Sequence, residues 1–212
     1  MRESCTLLHW AAGKGDVPML SLLLMCPFTG PEDVNSRDDQ DRGNTPLHVA
    51  CERGQSATTR ILLDHPYMDV NCRRSSDGFT PLMVSIISSY SRSSYYTAFL
   101  LACCRRVDPN VTLGSTKHLF LSYFDCDRQQ NRLRKIEIKI SKHATSLHLA
   151  AFMGFVHLVA CLSSRSDIHS FSKKILTQNA AMKTLPWMKQ VIQAIRVGKK
   201  YRFLSMQSFP YS

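Results

Sequence analysis

Cysteine and histidine are the residues of this sequence that could bind a metal or act as nucleophiles, and their spacing argues against both. The chain has eight of each and no Cys-x-x-Cys pair. Structural zinc needs four ligands that converge from closely spaced pairs. Cys103 and Cys104 could form a nucleophile or a lipidation site, but they follow an apolar run in which burial is favoured. We therefore expect no metal and no cofactor, and cysteines that serve as small core residues in a reducing compartment.

The sequence also lacks the motifs that mark common catalytic sites. It contains no G-x-x-x-x-G-K-[ST], no G-x-G-x-x-G, no H-E-x-x-H and no G-x-S-x-G. Phosphate-binding loops, zinc hydrolases and serine hydrolases of those types are excluded by this. We expect a protein that is not an enzyme.

Length and composition predict a folded protein without a membrane span. The 212 residues are 44% hydrophobic, which is enough to bury a core. The longest apolar runs, 19–25 and 99–104, are far shorter than the ~20 residues that a spanning helix needs. The first fifteen residues include no cleavable apolar stretch. We expect an unprocessed monomer in the cytoplasm, with the nucleus as a second location.

One short sequence motif, here called the phrase, recurs along the chain and predicts the helices and turns that position its side chains. It begins as "TLLHWAAGKGD" at Thr6, "TPLHVACERGQ" at Thr45, "TPLMVSIISSY" at Thr80 and "TSLHLAAFMGF" at Thr145. Threonine caps a helix, proline suits its first position and glycine ends it. A second apolar run follows each copy; Val-Asn then follows the first two copies and Asp-Pro-Asn the third. Each copy therefore predicts a helix, a turn, an antiparallel helix and a projecting hairpin.

This phrase resembles the ankyrin repeat, whose motif is T-P-L-H-x-A-A-x-x-G. The matching residues are Thr45, Pro46, Leu47, His48, Ala50 and Gly54, and again Thr145, Leu147, His148, Ala150, Ala151 and Gly154. The resemblance implies an all-α solenoid of stacked helix-turn-helix units with projecting β-hairpin loops over 4–168. We expect repeats near 4–36, 41–72, 76–110 and 141–168, with a degenerate copy at 112–140, because the last spacing is close to twice ~33 residues.

The segment before the last repeat allows two readings. Ile136, Ile138 and Ile140 alternate with Glu137 and Lys139, which is the spacing of a strand. A degenerate second helix with solvated charges and an inserted β-hairpin both remain open at this point.

Residues 169–212 are predicted to form a basic capping segment with one amphipathic helix and a disordered tail. Its apolar side would hold Trp187, Met188, Val191, Ile192 and Ile195. The helix could cap the stack or lie on an anionic membrane surface. It also faintly resembles the first helix of a SOCS box, which would imply a substrate receptor of a cullin ubiquitin ligase.

Charge is divided unevenly along the chain. Residues 1–77 carry net −3 and residues 78–212 carry net +14. Basic clusters at 132–142 and 199–202 could attract nucleic acid, acidic lipid or another polyanion. Polyanion binding is therefore an alternative function.

The resemblance implies binding of a protein partner through the concave face and the hairpin tips, as an adaptor, scaffold or inhibitor. We predict the variable residues between the structural positions as contacts, because Trp and Arg are enriched at interfaces. On the first helices these are Trp10, Lys14, Val49, Glu52, Arg53, Val84, Leu149, Phe152 and Met153. On the hairpins they are Arg37, Asp38, Asp39, Arg42, Arg73, Arg74, Ser76 and Phe79.

Overall fold

The computed structural model describes residues 6–38, 42–89, 92–115, 117–125, 132–140 and 142–168. Within these ranges four inner helices alternate with four outer ones, joined by one short helix and one strand pair. The elements are α1 (Leu7–Lys14), α2 (Val17–Met25), α3 (Pro31–Val34), α4 (Pro46–Glu52), α5 (Ser56–Asp64), α6 (Pro81–Ile87), α7 (Arg92–Cys103), β1 (Lys117–Asp125), β2 (Arg132–Ile140), α8 (Ser146–Phe152) and α9 (Val156–Ser164).

Two parallel rows of helices build the stack. The inner helices α1, α4, α6 and α8 pack in that order, and the outer helices α2, α5, α7 and α9 pack beside them. Leucines at one equivalent position join the inner row: Leu47, Leu82 and Leu147 have no exposed surface. The predicted solenoid is confirmed, and its core is continuous from one unit to the next.

The threonine and histidine of each phrase join neighbouring units. The Thr45 hydroxyl and backbone N–H lie 2.9 and 3.3 Å from His48 Nδ1, which fixes the start of α4. His48 Nε2–H donates to the Phe79 carbonyl of the next unit at 3.0 Å. His9 Nε2–H donates in the same way to the Asn44 carbonyl at 2.9 Å. These bonds require the neutral imidazole with its proton on Nε2.

Gly54 is needed because two units approach closely where α4 ends. Its φ is +66°, in the left-handed region. A Cβ at this position would lie 2.8 Å from the backbone Cα and N of Ser94 in α7. A side chain would therefore be strained and would also push the two units apart.

Asparagines after the outer helices form a second set of bonds between units. Asn35 Nδ2–H donates to the Tyr67 carbonyl at 2.7 Å, and its Oδ1 accepts from the Asp69 N–H at 2.8 Å. Asn71 repeats the arrangement with the Arg106 carbonyl and the Asp108 N–H. These pairs satisfy backbone groups that a loop would otherwise leave to solvent.

Two arginines cap the outer helix of the preceding unit. Arg106 donates to the carbonyl of Leu63 at 2.6 Å, in the last turn of α5, and to that of Met68 at 2.7 Å, beyond the end of the helix. Arg165 donates to the carbonyls of Ala102 at 2.9 Å and Val107 at 2.8 Å, at the end of α7. A helix C-terminus leaves carbonyls without partners and favours a cation there.

The strand pair is an insertion and not a fourth repeat. β1 and β2 are antiparallel, with Lys117 opposite Ile140 and Asp125 opposite Arg132. The interpretation of 112–140 as a degenerate helical repeat is therefore wrong, and the hairpin alternative is correct. Alternating β-branched residues favour a strand over a helix at this position.

The insertion occupies the tip of a loop that the other units also have. The Asp38 N–H donates to the Asn44 carbonyl at 2.8 Å, and the Arg74 N–H donates to the Phe79 carbonyl at 2.9 Å. The equivalent bond in the third unit joins the Leu113 N–H to the Ala144 carbonyl at 3.0 Å, across the whole insertion.

The stack continues past this insertion as if it were absent. Asn110 Nδ2–H donates to the Asp167 carbonyl of the last unit at 2.7 Å, as the earlier asparagines do to their next unit. The long spacing between Thr80 and Thr145 is thus one repeat plus an inserted hairpin.

Removal of the insertion should leave the stack folded. Deleting 116–141 leaves four residues between Leu113 and Ala144, as between Arg74 and Phe79. The variant loses the buried Ile140 side chain, so we expect it to be less stable by about 2 kcal/mol but still cooperative. Urea unfolding followed by helical circular dichroism measures this. Loss of about a quarter of the helical signal before the main transition would show that the last unit needs the hairpin.

Candidate partner-binding surface

The inner helices carry a row of apolar side chains whose exposure falls along the stack. Trp10, Val49, Val84 and Leu149 occupy equivalent positions, four residues after the threonine of each unit. Trp10 is 51% exposed and Val49 is half-buried, whereas Val84 and Leu149 are buried. The accessible part of this row therefore lies on α1 and α4.

A basic row runs beside the apolar one on the same two helices. Lys14 and Arg53 are both exposed and occupy equivalent positions, four residues after Trp10 and Val49. Gly13 allows Arg53 to lie across α1, because a Cβ on Gly13 would come within 3.2 Å of Arg53 Cδ and 2.8 Å of Val49 Cγ1. We call Trp10, Lys14, Val49 and Arg53 the inner-face patch.

The carboxylates next to this patch in sequence are engaged elsewhere. Glu52 lies 3.4 Å from Arg42 and 3.9 Å from Arg74 in the adjoining hairpins. Asp16 accepts the Met19 N–H at 3.0 Å and caps α2. Within the described part of the chain, neither Lys14 nor Arg53 forms an ion pair. The patch therefore carries two positive charges with which no described carboxylate forms an ion pair.

Arg74 is a structural residue and not a contact at a hairpin tip. It is 6% exposed, and its guanidinium forms a two-point ion pair with Asp77, with Nε at 3.0 Å and Nη2 at 2.5 Å. The guanidinium also lies 5.8 Å from the Phe79 ring centre. The prediction that Arg74 is an outward contact is wrong, because its guanidinium pairs with Asp77 of the same loop and the side chain is buried.

Two further hairpin arginines, Arg37 and Arg73, are exposed, but each guanidinium donates a hydrogen bond to the next loop. Arg37 Nη1–H donates to the Arg73 carbonyl at 2.6 Å, and Arg73 Nη1–H donates to the Thr112 carbonyl at 2.6 Å. Arg37 and Arg73 occupy equivalent positions in successive hairpins, and this recurrence indicates a structural role that the sequence analysis did not predict. Their hydrogen bonds fix the position of each hairpin relative to the next.

The remaining predicted contacts divide by burial. Glu52, Phe152 and Met153 are half-buried, while Arg42 and Ser76 are exposed. The structure contradicts an outward position for five residues, which are buried: Asp38, Arg74, Phe79, Val84 and Leu149. The recurring motif has no residue type that distinguishes core from surface at those positions, so the sequence does not predict their burial. Asp39 lies outside the described residues.

Several other predictions also fall outside the described part of the chain. These are the amphipathic helix and tail of 169–212, with its SOCS-box resemblance and its possible membrane-surface contact, and the side chains of the basic cluster at 132–142 except that of Lys142, which is exposed. Polyanion binding therefore stays a prediction. Among the described residues, no helix has the length and apolar character to cross a bilayer, and no three His, Cys, Asp or Glu residues are grouped as a metal site would need.

The described thiols lie in surroundings that shift their pKa values in different directions. Burial raises the pKa of the Cys51 thiol, and burial raises the pKa of Cys72 to about 11. Cys103 is exposed, with its Sγ 3.8 Å from Cys161 Sγ. The hydrogen bond from that thiol lowers the pKa of Cys103, and the Arg165 guanidinium adds to the effect.

Alkylation should follow this order. With iodoacetamide at pH 8, we expect Cys103 to react at least ~10 times faster than Cys51 and Cys72, because the thiolate is the nucleophile and access is needed. Mass spectrometry of the digested protein after timed labelling measures each rate. Equal rates for Cys51 and Cys103 in folded protein would contradict the buried position of the first.

The fold and this surface define a class of protein: a stack of helix pairs whose rigid inner face is open to a partner. The family model for ankyrin repeats in three copies matches residues 8–113, half of the sequence, and the chain belongs to the ankyrin-repeat family. It is a protein–protein interaction module. The described structure adds a fourth unit, α8 and α9, beyond the matched range.

Two kinds of curated protein are similar to part of the chain. Alpha-latrotoxin-Lg1a of Latrodectus geometricus is 34% identical over 85 residues, which are 40% of this chain and 6% of the toxin. BCL-6 corepressor-like protein 1 of Homo sapiens is 39% identical over 83 residues, which are 39% of this chain and 4% of that protein. The match thus spans only a small fraction of either relative.

Proposed function

We propose that this protein is a non-catalytic adaptor, scaffold or inhibitor that holds a segment of a partner protein on the inner-face patch. One observation carries the proposal: packed helices bring together an exposed tryptophan and two exposed cations that form no ion pair with a described residue. A rigid surface loses little entropy when it binds, and Trp and Arg are enriched among binding hot spots.

The proposal includes a location inside the cell and action as a monomer. The six described cysteines are free thiols, including the exposed Cys26 and Cys103. Free exposed thiols are typical of a reducing compartment. The Sγ atoms of Cys103 and Cys161 lie 3.8 Å apart as free thiols, an arrangement that fits a reducing compartment better than an oxidising medium.

Partner capture tests the proposal. The full chain and its Trp10→Ser variant are immobilised and incubated with cell extract, and bound proteins are identified by mass spectrometry. Tyr67→Ser is the matched control, since Tyr67 is 55% exposed but lies after α5, away from the inner helices. We expect proteins that bind the wild type and the Tyr67 variant but not the Trp10 variant. The same set of proteins on all three would contradict the proposal.

A further inference from the structure

The inner-face patch combines features that select one chemistry of partner. It presents the Trp10 ring and the Val49 side chain beside two cations, with no carboxylate of the described residues paired to either cation. Two cations at equivalent positions of packed helices raise the local positive potential, which favours an anion bound between them.

Spacing fixes the layout of the ligand. On each helix the apolar residue and the cation are four positions apart, Trp10 with Lys14 and Val49 with Arg53, which places them one turn apart on the same side. The two helices pack against each other, so the patch is an apolar strip with a parallel basic strip. A complementary ligand carries apolar groups along one edge and negative charges along the other.

Four described carboxylates of this half of the chain lie away from the inner helices. Asp64 and Asp69 lie at and beyond the end of the outer helix α5, and Glu32 and Asp33 lie in α3. Glu52, the carboxylate nearest in sequence to Arg53, is held by Arg42 and Arg74. Residues 1–77 are net negative, but the charged residues of the inner-face patch, Lys14 and Arg53, are both basic.

We propose that the partner segment is an acidic peptide with at least one large apolar side chain, which seats on Trp10 and Val49 while its carboxylates pair with Lys14 and Arg53. This inference rests on the proposed function and specifies its ligand. A peptide fits better than a nucleic acid because nucleic-acid binding draws on many phosphate contacts, commonly about six to ten, whereas this patch offers two cations and one aromatic ring.

Three synthetic peptides of twelve residues test the chemistry by fluorescence anisotropy with the full chain. The first alternates Glu with Leu and Phe, the second replaces every Glu by Lys, and the third replaces Leu and Phe by Ser. We expect binding of the first that weakens as salt rises, roughly tenfold weaker binding of the third, and none of the second. A single-stranded oligonucleotide of twelve nucleotides is the fourth probe, and displacement of the first peptide by a lower concentration of oligonucleotide than of unlabelled peptide would overturn the proposal.

Charge reversal locates the binding on the protein. The double variant Lys14→Glu, Arg53→Glu should weaken binding of the acidic peptide tenfold or more. The matched control is Arg60→Glu, Arg105→Glu, which changes the net charge equally at exposed residues of α5 and of the loop after α7. Equal loss in both variants would show a general charge effect and overturn the proposal, as would no binding of the acidic peptide by the wild type.

The two proposals fail separately. If Trp10→Ser abolishes partner capture but the Lys14 and Arg53 reversal leaves it intact, the inner face binds a partner that is not acidic, and only the present inference is lost. If Trp10→Ser leaves capture unchanged, the proposed function itself is lost.

Discussion

Lowering the pH from 7.5 to 5 should destabilise the folded protein by about 4 kcal/mol, of which His48 and His148 contribute about 2 kcal/mol each. Both imidazoles are buried under neighbouring helices, and burial lowers the pKa of each to about 4. For His48 the guanidinium groups of Arg74 and Arg37 disfavour the cation further, and Asp77 offsets them in part. Burial lowers the pKa of His9 in the same direction.

The loss of stability at low pH follows from the difference in proton binding between the unfolded and the folded chain. An unfolded histidine has a pKa near 6.5, so between pH 6.5 and 4 the unfolded chain binds protons that the folded chain excludes. The stabilisation is complete above pH 6.5 and is lost as the pH falls toward 4, where it reaches about 3 kcal/mol for each residue. A typical domain has 5–15 kcal/mol in all, so the loss is large.

Urea unfolding at a series of pH values measures this dependence. The His48→Gln variant should be less stable at pH 7.5, because it loses the bond to the Phe79 carbonyl, but its stability should fall by about 2 kcal/mol less on acidification. His157→Gln is the control, because His157 is exposed in α9. An unchanged pH slope in the His48 variant would refute the assignment.

The Leu82→Ala substitution should reduce the free energy of unfolding by about 3 kcal/mol. Leu82 has no exposed surface and lies in α6, between α4 and α8 of the inner row. Removal of a buried leucine costs the transfer free energy of its lost methyl groups plus a term for the cavity, 2–5 kcal/mol in typical cores. Because the core is continuous, the loss should lower the midpoint of one shared transition.

Leu22→Ala provides the matched control for this experiment. Leu22 is the same residue type, is also helical and is 69% exposed in α2. We expect a change below about 0.5 kcal/mol, measured by urea unfolding at pH 7.5. Similar losses in both variants would mean that the inner leucines do not face one another in the core.

The sequence alone predicts the stack well because its signals are local and repeated. A capping threonine, a first-turn proline and a closing glycine recur at fixed offsets, and each has one favourable backbone geometry. The joining role of His48 also follows from its offset, since a first-turn imidazole can reach the cap and the neighbouring unit.

The hairpin and the burial of side chains are harder to predict because they depend on contacts between distant residues. The spacing from Thr80 to Thr145 fits two repeats as well as one repeat with an insertion, and the bond from Leu113 to Ala144 decides between them. Arg74 and Arg73 are adjacent in sequence, yet one is buried beside Asp77 and the other is exposed. Loop geometry, which local patterns do not encode, separates the two.

We propose that the inner face of the first two units, formed by α1 and α4, binds the partner. Hydrogen–deuterium exchange of the full chain, with and without a partner that Trp10→Ser fails to capture, tests it most directly. We predict slower exchange in 7–14 and 46–53 on binding, with little change in the outer helices at 56–64 and 92–103. Protection confined to the outer helices, with the inner ones unaffected, would contradict the account.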